Sequence, residues 1–94
     1  GLGDVYKRQV EGYAAKVWPD AESAVVTRPD ARKGEQLVLY TTARGADHKA
    51  LQEWGRANGV GELMIPREIR VLDALPVLGT GKLDYVTLNE MAKA

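Results

Sequence analysis

Residues 22–42, ESAVVTRPDARKGEQLVLYTT, decide the fold. "ESAVVTR", Glu22 to Arg28, is a short run rich in β-branched residues and reads as a strand. "PDARKGE", Pro29 to Glu35, reads as a turn: proline and aspartate open it, and Gly34 supplies backbone freedom. "QLVLYTT", Gln36 to Thr42, reads as a second strand. It has too few polar positions for an exposed strand, so both of its faces are expected to be partly covered. The short link between the two runs predicts an antiparallel pair.

On the N-terminal side, Val10, Tyr13, Ala14, Val17 and Trp18 fall at i, i+3, i+4, i+7 and i+8, one face of a helix. Pro19 ends that helix, because the residue before a proline is pushed out of the α region. On the C-terminal side, "ARGAD" is a loop. Asp47 is placed to cap a helix from about Asp47 to Asn58, with Ala50, Leu51 and Trp54 on one face. Gly59 suits the position after its end, and Gly55 is its weak point. "GVGELMIP" is a connector. "REIRVLDAL" alternates, Ile69 and Val71 pointing one way and Glu68 and Arg70 the other, which predicts a half-exposed third strand. Asp84 can cap a last short helix carrying Tyr85, Leu88, Met91 and Ala92. The expected fold class is α+β, a small three-stranded sheet covered by helices in the order α-β-β-α-β-loop-α.

Length and composition bound the rest. Ninety-four residues make one domain at most. A chain of this size buries only about 60% of its unfolded surface, so its stability is marginal. The formal net charge is zero, which leaves no electrostatic footprint for general nucleic-acid binding. There is no cysteine, hence no disulfide and no thiolate metal site. No apolar run approaches the roughly 20 residues of a transmembrane helix, and no signal peptide is visible. The chain does not begin with Met, and a fragment of a longer protein is expected.

The first nine residues, GLGDVYKRQ, read as foreign. Leu2 and Val5 continue no apolar period into the following helix. The nonapeptide is similar, throughout Gly1 to Gln9, to the conceptual translation of a transposon-based sequencing-library adapter. Such scars are set apart from fold reasoning, and the native sequence is expected to start at Val10.

The remaining motif is "PVLGTGKLDY", residues 76–85. It is not a Walker A loop: the upstream glycine would fall at Pro76 and the Ser/Thr at Leu83. It is not a dinucleotide loop either, because the last glycine would be Asp84. What remains is Lys82 on a mobile loop with Gly79, Thr80 and Gly81. A lysine can reach carboxylate or phosphate oxygens as a point charge, and glycines fit against a ligand without Cβ clashes. On spacing alone a solvated turn is the commoner outcome, and both readings stay open. The other polar features are weaker. His48, without a cysteine or second histidine, reads as a surface residue. Arg28, Arg32 and Lys33 cluster around the turn and read as a solvated face. Asp73 and Asp84 make no convincing carboxylate pair. Trp18 and Trp54 sit at core spacing, and no metal site is expected.

The longer run "IPREIRVLDALPVLGTGKLDY" resembles the C-terminal signature of adenylate-forming ligases, the superfamily of acyl-CoA synthetases, peptide-synthetase adenylation domains and luciferases. The matching positions are Pro66, Ile69, Leu72, Leu75, Pro76, Gly81 and Lys82. The upstream "VTRPDARKGEQLVLYTT" is similar to that family's strand–turn–strand, and Val10-Glu11 to the start of the helix after its hinge. The resemblance covers residues 10–94. Most members follow the lysine with Ile and then a basic residue; Leu83-Asp84-Tyr85 departs from this. That departure, with "GVGELMIPREIR", looks most like the bacterial acyl–acyl-carrier-protein synthetases fused to 2-acylglycerophosphoethanolamine acyltransferase.

The resemblance implies that residues 10–94 are the small C-terminal lid of an AMP-forming ligase whose large N-terminal adenylation domain is missing. A fatty acid would react with ATP to give acyl-AMP, and the acyl group would pass to acyl carrier protein. An acyl-CoA synthetase lid, with coenzyme A as the thiol, is the alternative; a carrier-protein-binding module without chemistry is another. Lys82 would be the catalytic lysine of adenylation, supported by Gly79, Thr80 and Gly81. Arg28, Arg32 and Lys33 would offer a contact for an acidic carrier protein. ATP and Mg would be held mainly by the missing domain, so the 94-residue chain alone is expected neither to bind ATP tightly nor to turn over. The implied location is the bacterial cytoplasm or the cytoplasmic face of the inner membrane.

Overall fold

A computed structural model describes residues 3–32 and 34–93. Its elements are α1 (Asp4–Val17), β1 (Ser23–Asp30), β2 (Gly34–Thr41), α2 (His48–Ala57), a 3-10 turn (Glu62–Met64), β3 (Glu68–Val71) and α3 (Tyr85–Ala92). The sheet order is β1-β2-β3, so β2 is central. β1 and β2 pair antiparallel from Ser23 opposite Thr41 to Asp30 opposite Gly34. β3 joins β2 in parallel, Val38 opposite Glu68 to Thr41 opposite Val71. A parallel neighbour needs a crossover, and α2 supplies it.

The α+β expectation holds, with corrections at the edges of elements. The turn is shorter than Pro29–Glu35, because β1 runs on through Pro29 and Asp30. The register explains how a proline is tolerated there. Thr42 N–H donates to Glu22 O, a ladder pair, so alternate residues Ala24, Val26 and Arg28 face β2. The nitrogen sides of Val25 and Pro29 therefore point away from the sheet, and on an edge strand a missing donor there costs no ladder bond. Gly34 takes φ 78° where the turn closes. The first helix also starts earlier than Val10. Residues Asp4 to Gln9 continue α1, and Tyr6 extends its apolar stripe, its hydroxyl donating to Leu63 O at 3.1 Å.

Both faces of the sheet are covered. Val25, Leu37 and Leu39 pack with Val10 and Ala14 of α1, Leu51 of α2 and Ile65. Ala24, Val26, Val38 and Tyr40 point the other way and pack with Leu75 and with Leu88 and Ala92 of α3. This is why β2 carries an unbroken apolar run rather than an alternating one. Tyr13 and Trp54 meet between α1 and α2 with ring centroids 5.3 Å apart, and Trp18 packs against the same core.

The caps read from the sequence are made. Asp47 Oδ1 accepts from Ala50 N at 2.9 Å and starts α2. At the other end Val60 N donates to Gly55 O and Gly59 N to Arg56 O, with Gly59 at φ 72°, a complete Schellman motif. Gly55 is more than a weak point: a Cβ there would lie 2.9 Å from Ile65 Cδ1, so its bareness seats Ile65 on the helix. His48 is not simply a surface residue. It is half-buried, and Nδ1 lies 2.9 Å from Pro66 O. A carbonyl only accepts, so Nδ1 carries the hydrogen and ties the start of α2 to the start of β3.

The polar face of β3 is a further correction. Glu68 and Arg70 do not face open solvent; they lie on the α3 side of the sheet, with side chains about three-quarters covered. Arg70 bonds Glu68 at 2.6 Å, Tyr40 Oη at 2.9 Å and the Met91 carbonyl at 2.8 Å. It thereby satisfies an end carbonyl of α3 with a cation, where the helix dipole favours one. Periodicity tells which residues share a face; it does not tell what covers that face.

Candidate functional site

The segment from Pro76 to Asp84 is a small β-hairpin rather than the mobile loop expected. Val77 bridges Leu83 antiparallel. Asp84 N donates to Pro76 O at 2.9 Å, Leu78 N to Lys82 O at 2.7 Å, and Gly81 N to Leu78 O at 2.9 Å. Leu78–Gly81 is thus a closed β-turn whose last residue, Gly81, is in the left-handed region at φ 89°. A turn ending on a left-handed glycine is a standard short connection between antiparallel strands, since its twist matches theirs. The signal was present in Leu-Gly-Thr-Gly-Lys flanked by β-forming Val77 and Leu83, and it could have been read as a hairpin.

Both feet of the hairpin are anchored. Leu75 is buried against β2 and α3, with Leu83 partly so. Asp84 caps α3: Oδ1 accepts from Thr87 N at 3.0 Å and Oδ2 from the Thr87 hydroxyl at 2.7 Å. Those two bonds hold the Asp84 carboxyl below the ordinary value of 3.8. The depressed pKa fixes the sign of its pH dependence: the cap contributes fully above the unfolded-chain value and is lost as pH falls through the lower folded value. A carboxyl carbon titration followed by NMR should give Asp84 a midpoint below the ordinary 3.8; an ordinary midpoint would mean that the cap is not made.

Lys82 lies at the end of the turn and is exposed. Among the described residues no carboxylate forms an ion pair with its ammonium. Gly79 and Thr80 form the tip and are exposed. Of the two glycines only Gly81 has a positive φ, and a Cβ at either would meet nothing within 4 Å. Gly81→Ala is therefore expected to lose about 1 kcal/mol through backbone strain, against nearly nothing for Gly79→Ala. Urea unfolding of the two variants checks this, and equal midpoints would mean that the left-handed turn is not held. Close to it in sequence, three apolar residues are exposed: Val77 by 55%, Leu78 by 46% and Val86 by 73%.

The three basic residues of the turn are not one free patch. Arg28 pairs with Glu68 at 3.0 Å on the α3 side of the sheet. Arg32 is exposed beside the turn, its own backbone N–H donating to Asp30 Oδ1 at 2.8 Å. Lys33 lies outside the described residues. Among the described residues no three His, Cys, Asp or Glu side chains gather as metal ligands, and no helix is long and apolar enough to cross a membrane.

Sequence reading gave Glu11 and Tyr85 no shared role. Tyr85, carried by α3, is 40% exposed and its hydroxyl donates to Glu11 Oε2 at 2.7 Å. The same oxygen accepts from Val25 N at 2.8 Å. Burial, and then the bond to the Glu11 carboxylate, pushes the Tyr85 phenol up to about 12. No local spacing links residues 11 and 85, so only the fold could reveal the contact.

The described chain is thus a small sheet backed on both faces by helices, with an exposed lysine on a hydrogen-bonded hairpin. The chain belongs to the AMP-binding enzyme C-terminal domain family, whose profile matches residues 9–82 and so ends on Lys82. It is 38% identical over 77 residues to an acetyl-coenzyme A synthetase from Chlorobaculum tepidum, covering 77% of this chain and 12% of that enzyme. It is 31% identical over 91 residues to a methyl-dioxo-octahydro-indenyl-propanoyl:CoA ligase from Mycobacterium tuberculosis, covering 94% of this chain and 18% of the relative. Among solved structures it is similar to the amide bond synthetase McbA from Marinactinospora thermotolerans, with TM-score 0.78 and 30% identity over 94% of this chain and 18% of that one. The chain thus spans only a small part of the length of the proteins it matches.

Proposed function

We propose that this domain is the lid of an AMP-forming acyl-CoA synthetase and that Lys82 is its adenylation lysine. The observation that carries the reading is an exposed ammonium, without an ion pair among the described residues, on a hydrogen-bonded hairpin at the last residue of the family match. In the first half-reaction a carboxylate oxygen attacks the α-phosphorus of ATP. The new O–P bond forms as the bond to pyrophosphate breaks. Lys82, brought in by the closing lid, supports charge on the carboxylate and α-phosphate oxygens, a matter of positioning and preorganised electrostatics. The closed lid also keeps acyl-AMP from water. In the second half-reaction the thiol sulfur attacks the acyl carbonyl, AMP leaves, and the thiol proton is released.

Coenzyme A is the proposed thiol. The relatives described above include an acetyl-coenzyme A synthetase and a CoA ligase, which favours it over the acyl carrier protein expected from Leu83-Asp84-Tyr85. The engagement of Arg28 with Glu68 also weakens the turn as a carrier dock. ATP and its magnesium would sit on the remainder of the enzyme. The test is the full-length ligase, assayed for thioester formation from ATP and acetate, octanoate or palmitate, with coenzyme A and holo acyl carrier protein in parallel. Thioester with coenzyme A alone supports the reading. Thioester only with the carrier protein restores the other acceptor, and acid-dependent acyl-AMP formation by the isolated 94-residue chain would overturn the lid assignment.

A further inference from the structure

We propose that Glu11 and Tyr85 form a clasp that positions the Lys82 hairpin, and that its loss slows adenylation specifically. The inference rests on the reading of Lys82 given above. Glu11 stands on α1 beside the core residues Val10 and Ala14. Its carboxylate reaches the outer edge of β1 and takes the Val25 N–H, which faces away from β2. The same oxygen takes the Tyr85 hydroxyl. One atom therefore joins α1, β1 and the first residue of α3, and both bonds have the short lengths of charge-assisted hydrogen bonds.

Tyr85 is three residues from Lys82. Between them, Leu83 is the return strand of the hairpin and Asp84 both closes the hairpin and caps α3. The route from the clasp to the lysine is thus a short run of hydrogen-bonded backbone. A shift at Tyr85 moves the foot of the hairpin relative to α1. Misplacing a reacting group by about 1 Å can cost up to 100-fold in rate. The surrounding helices hold the fold without the clasp, because Leu88 and Ala92 pack α3 on the sheet independently of the Tyr85 hydroxyl. Tyr85 and Glu11 are positioning residues; neither touches substrate in this account.

The experiment uses the full-length ligase, with ATP–pyrophosphate exchange driven by whichever of acetate, octanoate or palmitate the wild type activates. Tyr85→Phe should lower exchange turnover about tenfold with the KM for ATP nearly unchanged. Transfer of the acyl group from chemically prepared acyl-AMP to coenzyme A should stay within about twofold, a split that general destabilisation does not produce. Glu11→Gln keeps an oxygen that accepts both bonds and should retain most of the rate. In a Glu11→Ala background Tyr85→Phe should add nothing further. Unchanged exchange in Tyr85→Phe, equal slowing of both half-reactions, or an undiminished Tyr85 effect without Glu11 would each overturn the clasp. Lys82→Ala serves as the reference. If exchange survives that change, the reading of Lys82 falls and the clasp with it; if exchange collapses while Tyr85→Phe is silent, the clasp alone is wrong.

Discussion

Lys82→Ala in the full-length ligase should reduce acid-dependent ATP–pyrophosphate exchange by about 100- to 1,000-fold, the usual cost of deleting one preorganised charge-stabilising donor. Thermal and urea stability should move by less than about 0.5 kcal/mol, because the side chain is exposed and makes no ion pair among the described residues. The contrast is diagnostic. A residue kept for the fold shows the reverse pattern, with stability lost and residual turnover in whatever remains folded. Lys82→Arg separates charge from shape. The guanidinium keeps the charge but is planar and larger, so it should recover little if the ammonium must fit between carboxylate and α-phosphate. Transfer from preformed acyl-AMP to coenzyme A should survive both changes. Exchange within about twofold of wild type in Lys82→Ala would make the hairpin a surface turn and end the functional reading.

The parts of the fold that follow from local chemistry were legible. The strand pair, the two Asp caps and Gly59 each depend on a few adjacent residues, and each is where the pattern placed it, save that the strands run further into the turn than expected. What escaped was non-local. The alternation Glu68-Ile69-Arg70-Val71 was read correctly as two faces, yet nothing in it says that α3 covers the polar one. Only the return of α3 brings Met91 O and Tyr40 to Arg70. Parallel pairing of β3 was likewise not read, because it depends on where the α2 crossover delivers the chain.

The same division runs through the site. Lys82 was singled out because its motif spans consecutive residues, and the family match ends on it. The hairpin was misread as mobile because glycines were taken for freedom, when Gly81 is used for one fixed left-handed conformation. Arg28 was grouped with Arg32 by proximity in sequence. Strand geometry instead turns it toward Glu68, 40 positions away in the chain. Glu11 and Tyr85 are 74 positions apart and carry no shared motif.

Leu88→Ala should damage the fold severely, costing about 2–5 kcal/mol. Domains of this kind have only about 5–15 kcal/mol in total, so the variant should sit near the edge of folding. Leu88 is fully buried and packs with Ala24, Val26, Val38, Tyr40 and Leu75. Few side chains of α3 reach this core, and Ala92, the other buried one, is too small to fill a neighbouring gap. An isolated helix of 8 residues is not stable in water, so α3 exists because the sheet holds it. Val86→Ala, two residues away and 73% exposed, should change stability by less than about 0.5 kcal/mol. With a urea slope of about 1–3 kcal/mol/M, the Leu88 variant should lose at least about 0.7 M in midpoint while the Val86 variant stays put. If instead Leu88→Ala keeps its midpoint but α3 amides exchange freely, α3 is a separate unit that opens alone. That result would detach the hairpin's foot at Asp84 from the sheet, and the rigidity on which the placement of Lys82 depends would have to come from the Leu75 side alone.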